Sequence, residues 1–154
     1  MDKTISYYVE KFGGIALSVV VTFIAWLYWG FFSFVAEKDF FDKVIAITTT
    51  LFGFLLAVLT LIIQSNSPTV AMMKKHGSYK RLINYNKTIV ILSAIVCFIS
   101  LVLLLGREKL IAEQQVEILK YSGIVNLFLF LWTCFDTFVF VLIFYKIILS
   151  ETSQ

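Results

Sequence analysis

Asp136 is an acid inside a long apolar run, Ser122 to Ser150, with Trp132 one turn before it and Thr133 and Thr137 on its helical face. An acid at the centre of a membrane helix costs about 2.5–3.5 kcal/mol on insertion scales. Such a group faces protein or water rather than lipid, and two roles fit it. In one it is a packing element, hydrogen-bonded to a threonine or to the indole. In the other it is functional, lining a cavity or pore as carboxylate rings do in cation channels, or serving a small transporter as a proton or cation relay. Asn126 shares a helical face with Thr133, so the run carries a polar stripe of Asn126, Thr133, Asp136 and Thr137. These are the candidate pore residues.

Other chemistry is sparse. His76 is the only histidine and lies in a basic connecting segment, where a loop or cap role is expected of it. Cys97 and Cys134 both fall inside apolar runs, a setting for small buried hydrophobes rather than for a disulfide frame or a zinc site. The nucleotide, zinc-hydrolase and nucleophile-elbow signatures are missing from the sequence. No catalytic residue, metal or cofactor is therefore expected, and the chain does not read as an enzyme.

The elements that must position Asp136 follow from composition. The 154 residues are 60% hydrophobic, and mean hydropathy is +0.90. A soluble domain is usually about 45–50% apolar, so the excess calls for an apolar solvent. Four apolar runs, 12–36, 44–64, 88–106 and 122–150, each approach the roughly 20 helical residues that cross a bilayer. Only structures that satisfy their own backbone survive in lipid, so the runs are helices. The expectation is an all-α integral membrane protein, a single domain over residues 1–154 built as a bundle of four transmembrane helices. The N-terminal run is too long for a cleaved signal peptide and no small-residue cleavage site ends it, so it is counted as the first span.

Charge sets the orientation. Lys3, Lys11, Lys74, Lys75, Lys80, Arg81, Lys87 and Lys146 fall on one side of such a bundle, and Lys38, Lys43, Arg107, Lys109 and Lys120 on the other. The positive-inside rule puts the first group, and with it both termini and the basic loop 65–87, in the cytoplasm. Trp26, Tyr28, Trp29, Tyr121 and Tyr145 stand near span ends, where aromatic belts form.

Small residues suggest how the spans pack. Thr49, Gly53, Ala57 and Thr60 form a small-xxx-small run on the second span, Gly14, Ser18 and Thr22 a matching stripe on the first, and Ser93, Cys97 and Ser100 one on the third. Most of the rings around Asp136 (Phe128, Phe130, Phe135, Phe138 and Phe140) are expected to face lipid. In the basic loop, Asn66-Ser67-Pro68 reads as a helix start and His76-Gly77 as its end. A second piece, from Ser78, places Tyr79, Leu82 and Ile83 at helical spacing before the third span. Lys74, Lys75, Lys80 and Arg81 there suit anionic headgroups or a cytoplasmic protein partner. Five cations on one loop are too small a footprint to expect direct nucleic-acid binding.

The stretch Thr48 to Arg81, TTTLFGFLLAVLTLIIQSNSPTVAMMKKHGSYKR, combines a small-residue helix with a short basic loop of pattern K-K-x-G-x-Y before a third span. It resembles the RexB-type membrane proteins of phage exclusion and similar small four-span proteins of bacterial defence operons, including the Kiwa membrane subunit. The resemblance implies a role at the inner membrane in anti-phage defence. That role is either an ion-conducting homo-oligomer that depolarises the cell or a sensor and anchor for a cytoplasmic effector. A bundle of this size encloses no wide pore by itself, so the first form requires several copies.

Overall fold

The single proline, Pro68, lies outside every apolar run, so nothing within the runs breaks a helix. The structure, a computed structural model, describes residues 3–28, 36–64, 70–71 and 78–152, and side chains within 12–27, 36–64, 70–71 and 79–145. Four long helices carry most of the described residues: α1 (Lys3–Tyr28), α2 (Lys38–Gln64), α3 (Ser78–Ala112) and α4 (Val116–Thr152). α2, α3 and α4 are long and apolar enough to cross a membrane, whereas the described apolar part of α1, Phe12–Leu27, is shorter. Only between 22% and 28% of the most apolar windows of α2, α3 and α4 is buried inside the chain. The remaining Leu, Ile, Val and Phe side chains face outward, which fits a membrane protein surrounded by hydrocarbon.

Burial follows a regular spacing. On α3 the buried positions are Leu82, Asn86, Ile89, Ser93, Val96 and Ser100, alternating steps of four and three, the seam of a coiled coil. Phe41, Val44, Thr48, Leu55, Val58 and Ile62 on α2 keep the same spacing, as do Leu119, Asn126, Thr133, Thr137 and Phe140 on α4. The main packed pairs are α2 on α3, α3 on α4, and α1 on α4. Two apolar clusters result. One joins Phe40, Phe41, Val44, Val96, Leu119 and Leu127, and the other Leu55, Val58, Ile62, Leu82, Ile89 and Phe140. Between them along the seam lie the buried hydroxyls of Thr48, Ser93 and Thr133.

Three expectations change. The loop expected from Arg107 to Tyr121 is almost entirely helix, because hydropathy marks the lipid-soluble part of a helix and not its end. The two helices instead meet in a tight turn at Glu113–Gln115. There Gln115 N–H donates to Leu110 C=O (2.8 Å), Gln114 N–H donates to Ile111 C=O (3.1 Å), and Gln114 takes φ 58°. This is a Schellman cap with glutamine where glycine is usual. The span expected to begin at Thr88 likewise reaches further back: the helical piece expected from Ser78 is present and runs into it without a break as the start of α3, with Leu82 and Asn86 as core residues. The helix expected from Asn66 to Gly77 lies mostly outside the described residues, with only Val70 and Ala71 seen as helix. Last, Phe140 is fully buried while Phe138 is 63% exposed, and Phe128, Phe130 and Phe135 are half-buried. The rings divide by face, because Phe140 falls on the seam and Phe138 does not.

Gln114→Gly is expected to stabilise the protein by about 0.5 kcal/mol. Relief of the left-handed backbone exceeds the added freedom of glycine in the unfolded chain. The midpoint of unfolding in mixed detergent micelles measures it, and Gln114→Val should move that midpoint the other way.

Candidate functional site

A hydroxyl on a helix can satisfy itself on the carbonyl one turn back. Most of the polar stripes do so. Ser18 donates to Gly14 C=O (2.6 Å), Thr48 to Val44 C=O (2.6 Å), Ser100 to Val96 C=O (2.8 Å), Thr133 to Leu129 C=O (2.9 Å) and Thr137 to Thr133 C=O (2.7 Å). These groups are made compatible with an apolar setting by their own helix. They leave few polar bonds between helices, and those few mark the site.

Asn126 Nδ2 donates to Ser100 Oγ at 2.7 Å, tying α4 to α3. Asn86 Nδ2 donates to Leu55 C=O at 3.3 Å, tying α3 to α2. Both asparagines are fully buried, and each Oδ1 has no protein partner. Thr22 Oγ1 on α1 is buried in the same condition. Buried acceptors without a protein donor are the places where ordered water is most often held in a protein interior.

Asp136 sits where α1, α3 and α4 converge and is 7% exposed. Trp132 Nε1 donates to Asp136 Oδ2 at 2.8 Å, across one turn of α4. The Tyr85 hydroxyl of α3 donates to the Asp136 carbonyl at 3.4 Å. On the remaining side the carboxyl lies against Gly14 of α1. A Cβ at position 14 would overlap Oδ1 and stand 3.0 Å from Cγ and 3.3 Å from Trp132 Cδ1. A side chain at this position would oblige the carboxyl to move, and glycine leaves it the space. Asp136 thus has the indole as a hydrogen-bond partner and faces protein rather than lipid.

Its depth also changes. Asp136 is central within the apolar run of α4 alone. Its neighbours Gly14 and Tyr85 lie where the apolar runs of α1 and α3 begin, at Phe12 and Thr88. Judged by the helices around it, the carboxyl stands near the basic end of the bundle, the end marked by Lys80, Arg81 and Lys87. The other end is marked by Arg107, whose Nε donates to Ala36 C=O at 3.0 Å and clips α3 to the start of α2.

The candidate residues fall into three groups. Asn126, Thr133, Asp136, Thr137 and Ser18 are all buried, and Thr22 is half-buried. Thr49, Gly53 and Ala57 are exposed, and a Cβ on Gly53 would meet nothing within 4 Å. Within the chain, then, Gly53 and Ala57 are not the packing face of α2. The face with Phe41, Val44 and Leu55 buries more apolar surface and takes that role, and Thr49 meets only Cys97 Sγ, at 3.5 Å. Lys80 and Arg81 are exposed on the first turn of α3, whereas Lys74, Lys75 and His76 lie outside the described residues. Tyr85 and Asn86 are site residues that hydropathy alone assigns to the loop. The spacing of Leu82, Asn86, Ile89 and Ser93 is the signal that recovers Asn86, and Tyr85 follows as its neighbour. Among the described residues no cluster of His, Cys, Asp or Glu could hold a metal ion. Comparison with protein families, curated proteins and solved structures finds no match to this chain.

Gly14→Ala should cost about 1–3 kcal/mol through overpacking. In an Asp136→Ala background, where the obstructing carboxyl is gone, the same substitution should cost well under half as much. Unfolding midpoints of the four proteins of this cycle in mixed micelles test the pairing, and equal costs in both backgrounds would disprove it.

Proposed function

We propose that the chain is a multi-pass inner-membrane protein with four spans and both termini in the cytoplasm. In this reading it acts as an ion-conducting homo-oligomeric effector of bacterial anti-phage defence that perturbs membrane potential. The observation that carries it is the burial of Asn126, Thr133, Asp136 and Thr137 together on the inward faces of α4, with the Asn126 and Asn86 Oδ1 atoms left as buried acceptors without protein donors. A seam of that kind admits water, and an intramembrane carboxyl beside it is the usual mark of an ion path. α1 is the fourth span in this reading, and the resemblance of the Thr48–Arg81 stretch supplies the biological setting. Asp136→Asn in the full-length protein, reconstituted in liposomes, should reduce ion flux by about tenfold or more while the oligomer persists on size-exclusion chromatography. Undiminished flux would count decisively against the reading.

A second reading is favoured by a separate observation. Lys80 and Arg81 are exposed on a turn continuous with the long helix α3, which holds these cations in a fixed position beside the membrane. They suit a scaffold that recruits a cytoplasmic effector. Replacing Lys74, Lys75, Lys80 and Arg81 by glutamine should abolish copurification of such a protein. Retention of the partner would leave the segment as a headgroup-binding topology signal.

A further inference from the structure

We infer that the ion exchanged at Asp136 is a proton and not a metal cation, an inference that rests on the ion-conducting reading above. The carboxyl is surrounded on the wrong terms for a metal. Trp132 presents an N–H to Oδ2, and Tyr85 presents an O–H to the same residue. Gly14 lies so close to Oδ1 that even a methyl group there would overlap it. A metal cation asks for a shell of several oxygen acceptors at little more than 2 Å. Here the neighbour on Oδ2 is a donor, the Tyr85 hydroxyl is directed to the backbone carbonyl of Asp136 rather than to the carboxyl, and Gly14 takes up the space such a shell would need. A proton adds no volume. It leaves the carboxyl a neutral acid that keeps its acceptor oxygen toward the indole.

The groups that face Asp136 are fixed by the three helices that meet there. α4 supplies the Trp132 indole, α3 the Tyr85 phenol and α1 the backbone at Gly14. No other acid and no cation of the described side chains bonds to it. The carboxyl is thus a lone protonatable group near the basic end of the bundle, within reach of water from that side.

Beyond it the seam continues toward the other end. Asn126 lies about 15 Å from Asp136 along α4, at 1.5 Å per residue. The link from Tyr28 to Ala36 is too short to reach the start of α2 unless α1 runs antiparallel to α4. Thr22 therefore lies about 12 Å from Gly14 in the same direction. Thr22 Oγ1 and Asn126 Oδ1 are buried acceptors without protein donors, and between them and the carboxyl stand Ser18 and Thr133, both fully buried. A proton taken up by the Asp136 carboxylate from water at the basic end passes to water held by these groups. A single file of water carries a proton where it cannot carry a hydrated metal ion. This path lies inside one chain and needs no lumen between copies.

The test uses the full-length protein in liposomes of phosphatidylethanolamine and phosphatidylglycerol with pyranine inside, and an inside-negative potential set by potassium and valinomycin. The proposal expects the interior to acidify at a rate unchanged when external sodium is replaced by N-methylglucamine. Asp136→Asn should slow that rate about tenfold or more, and Thr22→Val several-fold. Trp132→Phe, which removes only the indole donor, should retain flux but move the pH at which it is half-maximal. Collapse of the potential with pyranine silent would overturn the proton assignment and leave the ion-conducting reading standing. No flux of any kind would remove both. Undiminished acidification by Asp136→Asn would overturn the assignment of the site alone. Should Asp136→Asn not assemble, the pH profile of Trp132→Phe decides: a displaced profile supports the proposal and an unmoved one overturns it.

Discussion

A polar group surrounded by hydrocarbon must be satisfied by the chain that carries it. Most hydroxyls here meet that demand on their own helix, through the carbonyl one turn back, and so contribute little to holding helices together. The bundle depends instead on a few groups that cannot be satisfied locally. The Asn126 and Asn86 side chains each reach to a second helix, and Arg107 reaches the Ala36 carbonyl just ahead of α2. Asp136 takes its donor from its own helix but is enclosed by two others. The apolar clusters on either side of the seam hold these groups in register by packing, and the polar bonds fix which helix lies opposite which.

That division explains what could be read from the amino-acid sequence. Long apolar runs give helices directly, since no other structure satisfies its backbone in lipid, and the all-helical architecture follows. The end of a run is another matter. Residues such as Arg107, Glu108 and Lys109 are excluded from hydrocarbon but are good helix formers, so α3 continues through them. Tyr85 and Asn86 lie before the apolar run of α3 but on or beside its packing seam. The inward stripe of α4 was legible because an acid and an asparagine in an apolar run have nowhere else to point. The partner of Asp136 was not legible, because a glycine carries no pattern that distinguishes close packing from an empty surface. Gly14 and Gly53 illustrate the two outcomes on two helices of the same chain.

Depth required the neighbours as well. The apolar run of α4 is longer than the others, so its centre is not the centre of the bundle. Contacts with Gly14 and Tyr85 place the carboxyl near one end, and that changes its chemistry. A group at mid-bilayer would exchange with neither side easily, while one near an end is reached from that side first.

The placement of α1 bears on how the protein is made. α1 packs chiefly on α4, so of the four long helices described the one made earliest has its partner in the one made latest. Until α4 is synthesised, Gly14 is a bare notch on α1, compatible with an apolar setting because it carries no polar side chain. Asp136, which lipid does not accept, arrives only when that notch and Tyr85 are already in place. The order of synthesis thus brings the costly residue to a prepared setting, and a chain arrested after α3 would leave α1 without its main neighbour.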